Sequence, residues 1–146
     1  MKRTCQDIMT KDPFCCEPKD SAQRTAQLMK ERNVGAIPIC ESHGTKLLGI
    51  VTDRDLAVRV VAEGRDPRST TVDTVMTRRV FSCRPEDDLD KALKLMEQHQ
   101  VRRIPVMDQQ SRIVGIITQG DIAIRLKDPQ TIAEVVTEVS KPSVGA

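Results

Sequence analysis

The chain has 146 residues and a formal net charge of +2 at pH 7, and 38% of its residues are hydrophobic, which suits one ordinary domain or a tightly paired double repeat. Basic and acidic side chains are interspersed, and Trp and Tyr are absent, so the composition speaks against nucleic acid as a partner. The apolar runs are short and the start lacks the apolar core of a signal peptide, which indicates no membrane partner and predicts a cytoplasmic protein.

The first predicted elements are a short strand and a helix. Residues 13–16 have the pattern of a strand, and Asp20 or Ser21 is suited to cap a helix that continues to about Arg32. Helical spacing places three residues on the inner face of this helix, namely Ala22, Ala26 and Met29.

Two further strands and a second helix are predicted next. Residues 34–40 and 46–52 have the composition of strands, with a polar turn at residues 42–44 between them. A helix is predicted from Asp53 to about Ala62. The order is therefore strand, helix, strand, strand, helix.

The second half of the chain repeats this order after a linker at residues 64–67. The apolar stripe of its first helix consists of Leu89, Leu93 and Met96. Residues 113–118 are its last strand. A final helix is predicted from Thr131, with Glu134 completing a capping box, and it is expected to cover a core or an interface. Its apolar positions are Ile132, Val135, Val136 and Val139.

The two halves correspond residue by residue. At an offset of 67, Met9, Thr10, Phe14, Cys16 and Asp20 return as Met76, Thr77, Phe81, Cys83 and Asp87. We divide the chain into a first repeat of residues 1–66, a second repeat of residues 67–127 and a tail of residues 128–146. Because a copy of this size buries little core alone, we expect the two repeats to fold against each other.

The most informative repeated motif is a corner between a strand and a helix. Residues 49–55 read GIVTDRD, and residues 115–121 read GIITQGD. The glycine permits a close approach of the backbone, and the following helix begins with amides that are expected to point outward unpaired, where an anion is favoured. Each corner adds a threonine hydroxyl for a phosphate and an aspartate carboxylate for ribose hydroxyls. These residues are Thr52, Asp55, Thr118 and Asp121.

A purely structural interpretation fits the same residues. Thr followed three positions later by Asp is also a capping box, which stabilises a helix start by about 1 kcal/mol. Duplication copies a cap as faithfully as a binding site. The repeat by itself therefore leaves both interpretations open.

These features together resemble a tandem cystathionine-β-synthase (CBS) domain pair, or Bateman module, over about residues 5–127. The resemblance rests on the element order, the Met-Thr segments, the two Ile-Pro pairs and both corners. It implies an α+β fold of two βαββα repeats packed as a pseudo-twofold pair, with a short C-terminal helix added. It also implies a homodimer that regulates another protein by binding an AMP-, ADP- or ATP-type ligand in clefts between the repeats.

The resemblance assigns the base of that ligand to an apolar slot beside each Ile-Pro pair and to the backbone that follows each Met-Thr segment. That backbone comprises residues 13–15 for one slot and residues 80–82 for the other. The named slot residues are Ile37, Pro38, Ile104, Pro105 and Val80. An edge strand that tolerates proline is the alternative explanation of the Ile-Pro pairs. No cofactor is required, although Mg²⁺ could accompany a polyphosphate.

The two sites are expected to be unequal. Arg102 and Arg103 precede the second Ile-Pro pair, where the first copy has Gly and Ala, and Arg54 occurs only in the first corner. Because a guanidinium can bind two phosphate oxygens at once, these three arginines are candidate contacts.

The cysteines leave other functions open. Five cysteines, an odd number without an export signal, indicate reduced thiols. The equivalent positions of Cys16 and Cys83 favour a packing role, whereas adjacent Cys15 and Cys16 keep a redox or metal sensor as an alternative. A second alternative is a structural dimerisation module with vestigial pockets. No catalytic residues and no metal ligands are assigned, and an enzyme is not expected.

Overall fold

The computed structural model describes residues 3–41, 46–126 and 128–141, so the turn predicted at residues 42–44 lies outside the described residues. The chain divides into two compact units. We call residues 13–80 the central unit, and residues 1–12 together with residues 81–146 the terminal unit.

The order of helices and strands confirms the predicted α+β class. In chain order the described residues form α1 (Cys5–Ile8), β1 (Thr10–Lys11), α2 (Ala22–Arg32), β2 (Ala36–Glu41), β3 (Lys46–Thr52), α3 (Asp53–Leu56), α4 (Leu89–His99), β4 (Arg103–Met107), β5 (Ile113–Thr118), α5 (Gln119–Arg125) and α6 (Pro129–Val139). A π-helical turn, Ala57–Val61, continues α3, and a 3₁₀ turn spans Val72–Thr74. Over the described ranges, none of the helices is long and apolar enough to cross a membrane.

The central unit is built on an antiparallel pair, β2 with β3, in which Ile37 lies opposite Val51. Both side chains belong to a buried cluster that also contains Leu28 and Met29 of α2. The helix therefore covers one face of the strand pair, and the sequence-predicted bounds of β3 are confirmed.

The strand predicted at residues 13–16 is wrong. Only Cys16 forms a bridge there, to Ile39 of β2. The Cys16 amide donates to the Pro38 carbonyl at 3.0 Å, and the Cys40 amide donates to the Cys16 carbonyl at 2.9 Å. Pro13 has no amide proton with which to extend this pairing.

Helix α2 has its predicted end at Arg32 and is capped by Ser21, whose hydroxyl oxygen accepts from the Arg24 amide at 3.0 Å. Its inner face differs from the prediction at Ala26, which is exposed. Thr25 is buried instead. Its hydroxyl donates to the Ser21 carbonyl at 3.0 Å, so the polar group is paired inside the core.

The terminal unit contains a three-stranded sheet in the order β1, β5, β4. The predicted stripe of α4 is confirmed, because Leu89, Leu93 and Met96 are all buried. These side chains share a core cluster with Val135 and Val139 of α6. The C-terminal helix therefore covers core, as one of its two predicted roles required.

Helix α6 begins earlier than predicted, and the Thr131–Glu134 capping box is wrong. Asp128 is the cap, since its carboxylate accepts from the Gln130 amide at 3.2 Å, and Pro129 occupies the first helical position. The Thr131 hydroxyl donates to the Asp128 carboxylate at 2.6 Å and so supports this cap.

In each unit, a Met-Thr segment pairs with the last strand. These segments are Met9 with Thr10 in the terminal unit and Met76 with Thr77 in the central unit. In the terminal unit, β1 places Thr10 opposite Ile116 of β5. In the central unit, Thr77 and Ile50 of β3 exchange backbone hydrogen bonds of 2.8 and 2.9 Å. The segment that begins one sequence repeat therefore belongs to the compact unit that holds the other repeat's strands.

A glycine makes room for this segment in each unit. A Cβ built on Gly49 would lie 2.6 Å from the Thr77 carbonyl oxygen, and a Cβ on Gly115 would collide with the Met9 side chain. The close approach predicted at these glycines is thus made by the chain itself. A ligand is not needed to explain them.

An arginine from the following helix also holds the segment. Arg59 donates to the carbonyls of Val75 and Met76 at 3.1 and 3.3 Å. Arg125 donates to the carbonyls of the two residues before Thr10, at 2.8 and 2.6 Å. Because a guanidinium carries several donors in a fixed plane, one side chain satisfies two successive carbonyls.

Gly49→Ala is expected to lower the free energy of unfolding by about 1–3 kcal/mol, because the added methyl group meets a backbone oxygen that cannot rotate away. Gly120→Ala is the matched control, since its Cβ would have Thr118 Oγ1 as its nearest neighbour at 3.6 Å. Urea unfolding of both variants measures the difference. Equal stability of the two variants would show that the close approach of Thr77 to Gly49 does not limit the size of the side chain there.

Candidate functional site

The central corner is a complete capping box. The Thr52 hydroxyl oxygen accepts from the Asp55 amide at 3.1 Å, and the Asp55 carboxylate accepts from the Thr52 amide at 2.9 Å. The other carboxylate oxygen of Asp55 lies 3.9 Å from Arg59 Nε. The structural interpretation of the Thr and Asp positions is therefore realised here.

The terminal corner repeats this arrangement with one addition. Thr118 and Asp121 exchange the same two hydrogen bonds, both at 3.0 Å. The remaining Asp121 oxygen accepts from the Thr10 hydroxyl at 3.0 Å. This carboxylate thus connects the helix start to the Met-Thr segment in its own unit.

The first amides of the central helix are not free for an anion. The Asp53 amide donates to the Gly35 carbonyl at 2.9 Å, the Arg54 amide donates to the Asp53 carboxylate at 2.8 Å, and the Asp55 amide is held by Thr52. The expectation of unpaired amides is wrong at this corner. The cause is local, because Asp53 folds its own carboxylate over the next amide.

The terminal corner leaves one of these amides open. The Gln119 amide donates to the Arg102 carbonyl at 3.0 Å, and the Asp121 amide donates to Thr118. Within the part of the chain that the structure describes, the Gly120 amide donates to no acceptor. The two corners therefore have the same cap but differ in whether the second amide of the helix has an acceptor.

The Ile-Pro pairs lie inside the strands rather than on an open wall. The four residues are Ile37, Pro38, Ile104 and Pro105, and all of them are buried. Both isoleucine side chains belong to core clusters, and the two proline carbonyls accept from the amides of Cys16 and Cys83 at 3.0 and 3.1 Å. Their part in an adenine slot stays a prediction.

The candidate arginines flank the corners. Arg54 is exposed in the first turn of α3, and Arg102 is exposed just before β4. Arg103 is partly buried and pairs with Thr118 across β4 and β5. Val80 belongs to the central unit, whereas its predicted slot partners, Ile104 and Pro105, belong to the terminal unit.

Several residues make side-chain contacts in the two units that the sequence did not predict. Thr10 bonds Asp121, and Arg32 lies over the Phe14 ring at 4.6 Å from its centroid. At the equivalent position of the terminal unit, His99 stacks on Phe81 with ring centroids 3.5 Å apart. The offset of 67 could have revealed these pairs, because it relates Phe14 to Phe81 and Arg32 to His99.

Among residues 3–41, 46–126 and 128–141, no three His, Cys, Asp or Glu side chains lie close enough together to hold a metal ion. Two shallow surface grooves occur in the terminal unit, one beside α4 and one between α4 and α6. Neither is lined by a predicted site residue.

The comparison with known families agrees with the duplicated corners. The CBS domain matches twice, over residues 5–62 and 72–128. This chain belongs to the CBS domain family.

Two curated bacterial proteins illustrate the relationship over nearly the full length. The CBS domain-containing protein YhcV of Bacillus subtilis is 39% identical over 139 residues, covering 95% of this chain and 96% of that protein. Hypoxic response protein 1 of Mycobacterium tuberculosis is 34% identical over 139 residues, covering 95% of each.

Solved structures give the same fold. The crystal structure of Hypoxic Response Protein I, with two coordinated zinc ions, aligns with a TM-score of 0.76 at 35% identity and covers 85% of this chain and 99% of that one. The CBS domain pair of protein MJ0100, in complex with 5-methylthioadenosine and S-adenosyl-L-methionine, aligns with a TM-score of 0.75 at 30% identity, covering 84% and 98%.

Thr118→Ala is expected to lower the free energy of unfolding by about 0.5–2 kcal/mol, because α5 loses the side-chain cap of its start. Thr118→Ser keeps the hydroxyl and should retain most of the stability. The measurement is urea unfolding without added ligand. A serine variant as unstable as the alanine variant would show that the capping hydrogen bond is not the source of the loss.

Proposed function

We propose that this CBS domain pair is a cytoplasmic regulatory module that binds an adenosine-type ligand, such as AMP, ADP or ATP, and catalyses no reaction. The observation that carries the proposal is the capped corner with an open amide at Gly120. It is supported by family membership, because a related CBS domain pair is solved with two adenosine derivatives.

The capping role does not use up the chemistry of the corner. A threonine hydroxyl that accepts from an amide still has its own proton to donate to a phosphate oxygen. Each carboxylate oxygen of Asp121 can accept more than one hydrogen bond, so its bond to Thr10 leaves capacity for a ribose hydroxyl. Thr118 and Asp121 are therefore proposed to cap the helix and bind the ligand together.

The terminal corner is proposed as the stronger of the two phosphate sites. The amide of Gly120 is a donor without an acceptor in the described residues. The backbone of the exposed residue Arg102 adjoins the corner, because its carbonyl accepts from the Gln119 amide, and its guanidinium is proposed to bind phosphate oxygens. At the central corner, the Asp53 carboxylate occupies the Arg54 amide and adds a negative charge that repels a phosphate. Thr52, Asp55 and Arg54 are accordingly proposed as a weaker site.

The adenine base is proposed to lie beside the Ile-Pro strands, where backbone groups can read its edge without a special side chain. The proposed contacts of the base are Ile37, Pro38, Ile104, Pro105 and Val80, and Arg103 is proposed as a phosphate contact. Mg²⁺ is proposed only for a polyphosphate ligand. Regulation further requires that the ligand binds two arrangements of the protein, or of its complex with a regulated protein, with different affinity.

Exchanging one residue between the corners tests the proposed asymmetry. Gln119→Asp should place a carboxylate over the Gly120 amide and weaken AMP binding about tenfold or more, because one charge-assisted hydrogen bond is lost and a repulsion is gained. Asp53→Gln is the reciprocal variant and should strengthen binding at the central corner. Isothermal titration calorimetry of the full chain with AMP measures both.

Adenosine is the control ligand for this exchange, since it has no phosphate and its affinity should be the same in both variants. A panel of AMP, ADP, ATP, 5-methylthioadenosine and S-adenosyl-L-methionine tests the broader proposal. No binding heat with any of them at millimolar concentration would contradict an adenosine ligand for this chain.

A structural role in dimerisation is the second candidate function. Exposed apolar side chains on the corner helices favour it, since Val61 is 75% and Ile124 is 83% exposed. Burial of such side chains in a homodimer would remove apolar surface from water.

Ile124→Glu is expected to shift a homodimer towards monomer in sedimentation velocity, because a buried unpaired carboxylate is costly. Gln98→Glu adds the same charge to the exposed surface of α4 and should leave the sedimentation coefficient unchanged. A wild-type chain that sediments as a monomer at all concentrations would count against the dimer.

A further inference from the structure

The cysteines of the chain form two close pairs, one in each unit. In the central unit, Cys15 Sγ and Cys40 Sγ are 3.4 Å apart. In the terminal unit, Cys5 Sγ and Cys83 Sγ are 3.2 Å apart. All five cysteines are free thiols.

These pairs are not copies of each other. At the offset of 67, Cys15 corresponds to Ser82 and Cys40 corresponds to Met107, so the second repeat lacks both members of the central pair. Duplication therefore does not account for the approach of the two sulfurs. The sequence hypothesis of a redox function at Cys15 and Cys16 also takes a different form, because the partner of Cys15 lies on β2.

The backbone fixes Cys15 beside the end of β2. The neighbouring Cys16 donates its amide to Pro38 at 3.0 Å and accepts from the Cys40 amide at 2.9 Å. Two backbone hydrogen bonds thus hold the chain in register on either side of the sulfur pair. Side-chain rotation then has to close the sulfur separation only from 3.4 Å to the bond length of about 2.05 Å.

The cysteines differ in their exposure to solvent. Cys15 is partly exposed, whereas Cys5, Cys16, Cys40 and Cys83 are buried. A dissolved reagent can therefore reach Cys15 more readily than Cys40. The two sulfurs of the terminal pair lie closer together, but reagents cannot readily reach them, because Cys5 is 0% and Cys83 is 3% exposed.

The pKa shifts of the two thiols also indicate that Cys15 reacts before Cys40. The hydrogen bond from the Cys40 thiol lowers the pKa of Cys15, although burial opposes the shift. The same hydrogen bond, together with burial, raises the pKa of Cys40. Cys15 therefore ionises more readily than Cys40, and the thiolate form of a cysteine is the nucleophile in disulfide exchange.

We propose that Cys15 and Cys40 are a modification site that forms a reversible disulfide by exchange with a low-molecular-weight disulfide such as oxidised glutathione. The Cys15 thiolate attacks one sulfur of the reagent and displaces one glutathione thiolate, leaving a mixed disulfide. Cys40 then loses its proton, attacks the Cys15 sulfur and displaces the second glutathione. The protein thiols lose two electrons, the reagent gains them, and both thiol protons pass to the released glutathione.

The bond would tie residues 13–16 covalently to the end of β2. These residues include the segment predicted to line the adenine slot, so oxidation is expected to change ligand affinity. That consequence rests on the proposed function. The disulfide itself does not, and its formation is measured without any nucleotide.

The test treats the native full chain with oxidised glutathione. The protein is then denatured, its remaining thiols are alkylated, and the intact protein and its peptides are measured by mass spectrometry. The wild type should lose two hydrogens and keep three alkylated cysteines. Its thermal unfolding midpoint should rise by about 5–10 °C, because the bond closes a loop between positions 15 and 40. A Cys16→Ala background makes the assignment unambiguous, since Cys15 and Cys16 lie in the same peptide.

Three variants separate the steps. Cys40→Ser should stop at the mixed disulfide on Cys15, and Cys15→Ser should not react, because the buried Cys40 is out of reach. Cys83→Ser is the matched control in the terminal pair and should oxidise like the wild type. The proposal is overturned if the wild type stops at the mixed disulfide, if its five thiols all remain alkylatable, or if Cys5 and Cys83 form the bond instead.

Discussion

The fold of both units depends on the seating of the Met-Thr segment against the last strand. A glycine provides the space, two backbone hydrogen bonds set the register, and an arginine from the following helix satisfies the carbonyls that precede the threonine. The helix that carries this arginine begins at the Thr-x-x-Asp corner. The position of the corner is therefore fixed by the same contacts that pair the Met-Thr segment with the last strand.

The pair of side chains that caps the helix start is also the pair proposed to bind the ligand. Thr118 and Asp121 satisfy each other's amides, which fixes the rotamers of both. A hydroxyl proton and unused carboxylate lone pairs then point in a constant direction, and a ligand need not pay the entropy of ordering them. The capping and binding interpretations, which are alternatives when only the sequence is considered, are chemically compatible in the structure.

The sequence predicted those features that repeat or that follow a strong period. The bounds of β3, β5 and α2 and the inner stripe of α4 follow from turn residues, caps and apolar spacing. Failures occurred where a non-local contact overrides the local pattern. Thr25 replaces Ala26 in the core because the Ser21 carbonyl satisfies its hydroxyl, and the pairing of Cys15 with Cys40 depends on β2. The hydrogen bond from the Arg54 amide to the Asp53 carboxylate also could not be predicted from the spacing of apolar residues.

Duplication gave the chain two equal scaffolds, and single substitutions have made their chemistry different. At one corner the Asp53 carboxylate accepts from the second amide of the helix, whereas the other corner has Gln119 at the position of that aspartate. Phe14 faces a guanidinium in one unit, and its counterpart Phe81 faces an imidazole in the other. The partly exposed thiol pair belongs to the unit whose corner has its first amides occupied. The proposed phosphate site at the terminal corner and the proposed thiol pair thus lie in different units, so neither proposed site has to serve both kinds of small molecule.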